Sequence, residues 1–112
     1  MSGNAVAECA KKYKGVKYVW GGESPSGFDC SGLVKYCYKQ AAGKDLPHFT
    51  GDLMNKGKKV SRKNLKVGDL VFPSSHHVGI YVGNDQIIHA PQTGDVVKIS
   101  KIWSFHTARR IL

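Results

Sequence analysis

The first half of the chain has apolar residues at helical spacing. In residues 4–14, NAVAECAKKYK, they recur every three or four positions, which predicts a short amphipathic helix that ends at Gly15. A stronger apolar stripe starts at Cys30 and predicts the main helix, with Gly43 at the position of a C-cap. The members of this stripe are Leu33, Val34, Cys37, Tyr38 and Ala41.

Three other stretches of this region are less regular. Residues 21–27 combine glycine, serine and proline, which predicts neither helix nor strand. A third, short helix is predicted from Thr50 to Lys56, with Thr50 as its N-cap. Residues 55–69, NKGKKVSRKNLKVGD, carry much of the positive charge and show little periodicity, so we interpret them as a solvated connecting loop.

After Gly68 the pattern changes from helical to extended. Runs rich in valine and isoleucine are separated by the turn sequences GND and PQTGD, which predicts an antiparallel meander of short strands. The predicted strands lie in residues 69–72, 77–83, 86–90, 96–100 and 107–112. Helices followed by strands indicate an α+β domain, in which N-terminal helices pack on a C-terminal antiparallel β-sheet.

Composition limits what such a chain can be. It has 112 residues, 41% of them apolar, which is enough for one domain with a single core. The apolar runs are too short to span a membrane, and the first residues lack the basic-then-apolar layout of a signal peptide. Seventeen basic against eight acidic residues give a net charge of +9, which attracts polyanions such as nucleic acid, anionic lipid or bacterial wall polymers. No aromatic residues interleave with the basic residues of 55–69, so we expect no nucleic-acid partner.

The three cysteines have different surroundings in the sequence. They form no C-x-x-C pair, which argues against a zinc site and a disulfide scaffold. Cys9 and Cys37 lie within apolar stripes, so we expect them to pack in the core. Cys30 follows Asp29, a good N-cap, and stands at the first helical position after a glycine-rich approach. There the helix dipole favours a negative charge, so we predict a lowered pKa and a thiolate nucleophile at Cys30.

A nucleophilic cysteine needs a base that a third group holds in place. His77 opens one predicted strand, and His89 lies near the end of the next. Residues paired across an antiparallel hairpin have numbers with a constant sum, so His77 and His89, whose numbers sum to 166, share a face only if that constant is even. A two-residue turn at residues 84 and 85 gives the constant 169 and separates these histidines onto opposite faces. A three-residue connection gives 168 and puts both on one face. We therefore predict a three-residue connection, or a two-residue turn corrected by a bulge at the glycines, with both histidines on one face.

Five fragments in order along the chain resemble the NlpC/P60 family of papain-like cysteine peptidases. They are YVWGG, SGFDCSGLVKYCY, VGDLVF, HVGIYVG and IIHAP. The resemblance runs from about Tyr13 to the end and is specific because all five occur in sequence. It implies a papain-like α+β fold and a single catalytic domain over residues 1–112, excised from or part of a longer cell-wall hydrolase.

The resemblance also implies roles for individual residues. Cys30 matches the family's nucleophile, His77 its general base, and His89 the polar residue that orients the base. The segment before His77, PSSH, looks short for the family and ends in a second histidine, so His76 stays an alternative base.

Three more positions match the family around the nucleophile. Tyr18 matches a tyrosine that assists the oxyanion site, and Asp29 and Ser31 match positions that contribute substrate contacts. The resemblance implies no metal and no cofactor.

The family typically hydrolyses bacterial cell-wall peptides, which implies a peptidoglycan endopeptidase specific for the bond between D-γ-glutamate and the following diamino acid. An N-acetylmuramoyl-L-alanine amidase with the same site is an alternative. A non-catalytic module that binds the wall or nucleic acid is a weaker alternative, because it leaves Cys30, His77 and His89 unexplained. We expect a monomer, located outside the cell or in the cell wall, whose partners are stem peptides and anionic wall polymers.

Overall fold

The computed structural model of the protein describes residues 2–112. Within this range the helices are α1 (Gly3–Lys11), α2 (Cys30–Ala42) and α3 (Thr50–Leu53), with a 3₁₀ turn at Arg62–Asn64. The strands are β1 (Glu23–Ser24), β2 (Gly27–Phe28), β3 (Lys58–Lys59), β4 (Leu70–Ser74), β5 (His77–Gly83), β6 (Gln86–His89), β7 (Lys98–Lys101) and β8 (Thr107–Arg110). This is the predicted α+β arrangement.

The two longer helices have clear stop and start signals. In α1 the hydroxyl of Ser2 accepts from the backbone N–H of Ala5, which makes Ser2 the N-cap. The main helix, α2, has Asp29 as N-cap and ends at Gly43, whose φ of 64° is the left-handed conformation of a C-cap. Both ends of α2 were predicted from the sequence and are confirmed.

Several local predictions are wrong. The first helix was predicted to end at Gly15, but α1 ends at Lys11. Residues 21–27 were predicted to contain no strand, yet β1 and β2 pair there as a small antiparallel hairpin. The basic segment 55–69 is not all loop, because it contains β3 and the 3₁₀ turn. Phe49, and not Thr50, is the N-cap of α3, which ends at Leu53, before the predicted Lys56.

The main sheet, taken over residues 2–112, has six antiparallel strands in the order β3-β8-β4-β5-β6-β7. Strands β4 to β7 form the predicted meander. The last strand, β8, does not continue the meander beyond β7. It returns to pair with β4, where Leu70 lies opposite Arg109, and β3 then adds to its outer side.

The core lies between the helices and one face of this sheet. Alternating residues of β4 separate the two faces: Leu70 and Phe72 join the main core, whereas Val71 joins a smaller cluster. Cys9 and Cys37 are both buried in the main core, as predicted. No helix within residues 2–112 is long and apolar enough to cross a membrane. Because α2 packs against β5, its N-terminus with Cys30 is held beside the start of the strand that carries His77.

Candidate active site

Asp29 organises the chain around Cys30. One carboxylate oxygen accepts from the backbone N–H of Gly32 at 2.7 Å, and the other accepts from the N–H of Gly21 at 3.0 Å. The first bond caps α2, and the second fixes the glycine-rich loop that approaches it. Asp29 therefore ties the loop to the helix and leaves the sulfur of Cys30 on a cleft of about 500 Å³.

The sulfur of Cys30 is less exposed than the sequence suggests, and this changes its ionisation. Burial raises the pKa of the thiol, and the charge of Asp29 adds to this effect. The hydroxyl of Thr50, 3.6 Å from the sulfur, and the backbone N–H groups of Val78 and Ser31 oppose it without reversing it. The prediction of a lowered pKa and a resting thiolate is therefore wrong, because desolvation of the sulfur outweighs the hydrogen bonds that favour the thiolate. The sulfur rests as a thiol and has to lose its proton to a base during the reaction.

The hairpin of β5 and β6 puts the two histidines together. Ile80 faces Ile88 and Tyr81 faces Ile87, but Gly83 faces Gln86, so the register shifts by one residue near the turn. Asn84 and Asp85 form a two-residue turn with φ of 54° and 60°. This is the predicted turn with a bulge, and the predicted shared face is confirmed.

His77 and His89 form a direct hydrogen bond across the hairpin. Nε2 of His77 lies 2.7 Å from Nδ1 of His89, and Nε2 of His89 lies 2.9 Å from the hydroxyl of Ser100 on β7. Gly79 makes room for this arrangement, since a Cβ there would lie 3.2 Å from the Cβ of His89. The side chain of His77 lines the cleft, whereas His89 lies behind it and is 2% exposed. Nδ1 of His77 is therefore the nitrogen left for a reaction in the cleft.

Both imidazoles are held in the neutral form. Burial lowers the pKa of His77, and burial together with the charges of His77 and Lys98 lowers the pKa of His89 to about 4. For His77 to accept a proton at Nδ1, its own proton has to be on Nε2, donated to Nδ1 of His89. The N–H of His89 is then on Nε2 and donates to Ser100. With both rings protonated on Nε2, the bonds from His77 to His89 and from His89 to Ser100 are both made, and Nδ1 of His77 keeps a lone pair for the cleft.

The other predicted site residues lie around the same cleft. Tyr18 lines it, and burial, followed by the charges of Asp29 and Cys30, raises its pKa, so the phenol keeps its proton and can donate a hydrogen bond. Ser31 is almost fully buried, with its hydroxyl 3.4 Å from Asp29. His76 lies at the cleft but is exposed, and the hydrogen bond to His89 is made by His77.

Sequence reasoning missed His48 as a part of this site. Its Nε2 lies 2.7 Å from a carboxylate oxygen of Asp29, and its Nδ1 lies 2.6 Å from Glu23. The ring donates to both carboxylates only when both nitrogens carry protons. His48 thereby joins the β1–β2 hairpin to the segment before α3, and Thr50, two residues on, reaches the sulfur of Cys30. A lone histidine in a loop gives no sequence signal for such a long-range contact.

Exposed aromatic side chains lie at and near the cleft. Trp20 and Phe49 line it and are largely exposed. Trp103 packs against the histidine pair, with its ring centroid 5.9 Å from His77 and 5.3 Å from His89. Large exposed apolar side chains grouped at a cleft are typical of a binding surface.

The fold and the cleft define the class of protein. An α+β domain with a cysteine at the N-terminus of its central helix, beside paired histidines on an antiparallel sheet, has the architecture of the papain-like cysteine peptidases. More specifically, the chain belongs to the NlpC/P60 family, whose model matches residues 15–112. The resemblance noted in the sequence is thereby confirmed.

Individual relatives support this assignment over most of the chain. The chain is 40% identical over 109 residues to the murein DD-endopeptidase MepS/murein LD-carboxypeptidase of Escherichia coli K12, covering 89% of this chain and 58% of that protein. It is 40% identical over 94 residues to the gamma-D-glutamyl-L-lysine dipeptidyl-peptidase of Bacillus subtilis 168, covering 78% and 31%. The crystal structure of the NlpC/p60 domain of the peptidoglycan hydrolase SagA superposes with a TM-score of 0.93 at 41% identity, covering 98% of this chain and 99% of that one. The chain therefore spans less than two thirds of the two curated relatives but almost all of the solved domain.

The low pKa of His89 predicts how stability depends on pH. In the unfolded chain this ring takes up a proton near pH 6.5, whereas in the folded protein it does so only near pH 4. As the pH falls through this window the unfolded state binds a proton that the folded state does not, so the free energy of unfolding decreases, and it levels off below about pH 4. His77 acts in the same direction. We expect His89→Asn, which cannot be protonated, to lose less stability between pH 6.5 and 4.5 than the unsubstituted protein in urea unfolding.

The comparison of the two proteins isolates His89, because the carboxylates that also titrate in this range are the same in both. An equal loss of stability in both proteins on acidification would show that the ring is charged in the folded state.

Proposed function

We propose that this domain hydrolyses peptide bonds of peptidoglycan as a cysteine endopeptidase, with Cys30 as nucleophile, His77 as base and His89 as the residue that orients it. The observation that carries the proposal is the placement of Cys30 and of His77, with its ring bonded to His89, on one cleft. Membership of the NlpC/P60 family and relatives named as murein endopeptidases support it.

The geometry supports an acyl-transfer mechanism. Nδ1 of His77 takes the proton of the Cys30 thiol as the sulfur attacks the carbonyl carbon of the substrate amide. The negative charge that develops on the carbonyl oxygen is stabilised by the backbone N–H of Cys30 and the hydroxyl of Tyr18. His77 then gives its proton to the leaving amine, and a thioester remains on Cys30.

Hydrolysis of the thioester uses the same groups in reverse. His77, neutral again, takes a proton from water, whose oxygen attacks the thioester carbon, and the proton returns to the departing sulfur. His89 keeps Nε2 of His77 engaged throughout and stays neutral, which avoids placing a second positive charge beside the imidazolium.

For the scissile bond we propose the amide between D-γ-glutamate and the following diamino acid. The name of the Bacillus subtilis relative supports this bond. The name of the Escherichia coli relative points to DD- and LD-peptide bonds instead. Asp29 and Ser31 are proposed substrate contacts at the floor of the cleft, although both are nearly buried and Asp29 already binds four protein groups.

Mass spectrometry of digested peptidoglycan tests the bond directly. The proposed activity releases fragments with a new amino terminus on the diamino acid. An amidase exposes the amino terminus of L-alanine, and a DD-endopeptidase separates cross-linked stems without shortening them. Products with either of the latter two patterns would replace the proposed bond, and an absence of peptide cleavage would refute the proposed function.

The positive surface suggests a second contact with the wall. Exposed lysines of the basic segment carry no carboxylate partner among the salt bridges of residues 2–112: Lys56, Lys58, Lys59, Lys63 and Lys66. We propose that they bind anionic wall polymers, which places the domain outside the cell or in the cell wall.

Binding through these lysines should weaken as the salt concentration rises, because surface charges are screened within about 8 Å at physiological ionic strength. Sedimentation with purified walls at low and high NaCl measures this. The variant Lys58→Glu/Lys59→Glu should bind more weakly at low salt and depend less on salt. Binding that salt and this substitution both leave unchanged would show that the basic surface plays no part.

A further inference from the structure

Trp103 packs against both rings of the histidine pair. Its ring is tilted by 36° to the ring of His77 and by 39° to the ring of His89, at centroid distances within the range of aromatic stacking. The indole itself is 59% exposed, whereas His89 is almost completely buried. Trp103 therefore joins a mostly buried imidazole pair to the protein surface through a ring that is itself largely exposed.

The loop that carries Trp103, residues 102–106, is fixed at both ends. The backbone N–H of Ile102 donates to the carbonyl of Asp85 at 2.9 Å, and the N–H of His106 donates to the carbonyl of Phe72 at 2.8 Å. The side chain of Ile102 is buried in the smaller cluster on this side of the sheet. The tryptophan is thus presented by an anchored loop.

Arg62 ties this loop to the hairpin that carries the histidines. Its guanidinium makes two bonds to the carboxylate of Asp85, at 3.2 and 2.9 Å, and a third to the carbonyl of Ile102 at 3.2 Å. It also lies over the ring of Phe105, 5.9 Å from the centroid. A single arginine therefore contacts the turn between β5 and β6 and two residues of the 102–106 loop.

We propose that Trp103 is a positioning residue for the His77–His89 pair, and that Arg62 keeps it in place through Asp85 and the carbonyl of Ile102. The indole excludes water from the bond between Nε2 of His77 and Nδ1 of His89, so that Nδ1 of His77 keeps its direction toward the cleft. When His77 carries the extra proton during the reaction, the centroid of the indole lies 5.9 Å from that of the imidazolium ring, within the distance of a cation–π contact. The expected effect of Trp103 on turnover rests on the proposed function, whereas its expected effect on the hydrogen bond between His77 and His89 does not.

The first test needs no substrate. A proton on Nε2 of His77 that is bonded and shielded exchanges slowly with water and gives a downfield imidazole N–H signal in the proton NMR spectrum. The signal is assigned by its disappearance in His89→Ala. In Trp103→Ala we expect exchange with water to become at least about tenfold faster, whereas Trp103→Phe preserves much of the protection. Trp20→Ala, which removes an exposed tryptophan that does not stack on the pair, should leave the signal unchanged.

The second test measures turnover on a soluble stem peptide. For Trp103→Ala we expect kcat to fall by roughly 10- to 100-fold with little change in KM, because misplacing a catalytic group by about 1 Å has effects of this size. Trp103→Phe should recover most of kcat. Because Trp103 is mostly exposed, we expect the thermal midpoint of Trp103→Ala to change little, and this is measured in parallel.

A mutant cycle tests the part played by Arg62. Arg62→Ala should lower kcat by a few-fold, since exposed ion pairs contribute little individually. In a protein that already carries Trp103→Ala, the same substitution should have no further effect on kcat, because Arg62 acts through the tryptophan. Lys44→Ala, which replaces an exposed basic residue just after the C-terminus of α2, is the control and should leave kcat and the N–H signal unchanged.

The outcomes separate this proposal from the proposed function. A raised KM with unchanged kcat and unchanged N–H exchange in Trp103→Ala would make Trp103 a substrate contact and overturn the proposal. Additive effects of Arg62→Ala and Trp103→Ala would overturn the role of Arg62. A protein that shows the protected N–H signal and its loss in Trp103→Ala, but cleaves no stem peptide, would retain the positioning role and refute the proposed function alone.

Discussion

Replacing Cys30 by alanine is expected to reduce the release of peptides from peptidoglycan by roughly 10⁴-fold or more, the scale on which hydrolases lose activity without their nucleophile. The substitution removes the atom that forms the thioester. The serine and threonine hydroxyls on the cleft belong to Ser31, Thr50 and Ser75, and none of them is hydrogen-bonded to His77 or His89, so none is activated to replace the thiol. Mass spectrometry of the soluble products over time measures the loss.

Cys9→Ala is the matched control for this experiment. Cys9 is also a free cysteine, but it packs in the core formed by the helices, so its replacement should cost stability and leave turnover largely intact. Retention of activity in Cys30→Ala, or an equal loss in Cys9→Ala, would contradict the assignment of the nucleophile.

Alkylation of Cys30 tests its resting state independently of any substrate. Because burial raises the pKa of the thiol, its reaction with iodoacetamide should be slow at neutral pH and should accelerate as the pH rises above the ordinary thiol value of 9.0. Rapid alkylation at pH 6 would instead indicate the resting thiolate that the sequence suggested.

The sequence was sufficient for the parts of the site that depend on local rules. Asp29 is followed directly by the apolar stripe of α2, so cap and helix start could be placed to the residue. Strand alternation showed that His77 and His89 share a face only in an even register, and the need to bring both to one site predicted a bulge that gives this register. The register shift in the hairpin confirms that prediction.

What the sequence could not show depends on contacts between distant parts of the chain. The return of β8 to β4 brings together residues nearly forty positions apart, and no pattern of apolar residues specifies that pairing. The raised pKa of Cys30 was missed because it depends on how deeply the folded protein buries the sulfur, which the residues around Cys30 in the sequence do not show. Ser100 was the one missed partner with a usable signal, since its strand was predicted and alternation limits which of its residues can reach His89.

Replacing His77 by alanine is expected to lower kcat/KM by about 10³-fold or more, near the upper range for loss of a general acid–base group. Because the pKa of Cys30 is raised, little thiolate exists at neutral pH without a base. Without His77, no group takes the proton from the thiol and none donates a proton to the leaving amine. His89→Ala should retain a measurable fraction of the activity, because His77 still accepts the proton but is less well oriented. A continuous assay on a soluble stem peptide, run across pH, measures each variant.

The pH profile distinguishes His77 from the alternative base. Burial lowers the pKa of His77 from its ordinary value of 6.5, so the ring stays neutral and competent on mild acidification, and kcat/KM should decline only below pH 6.5. At the alkaline end the profile should extend above pH 9, since the thiol keeps its proton to a higher pH than usual. His76→Ala should preserve this profile and most of the activity, because His76 is exposed and makes no bond to His89. The opposite result would be an inactive His76→Ala variant together with an active His77→Ala variant whose kcat/KM still declines below pH 6.5. In that case the base would be His76, and the bond between His77 and His89 would have only a structural role.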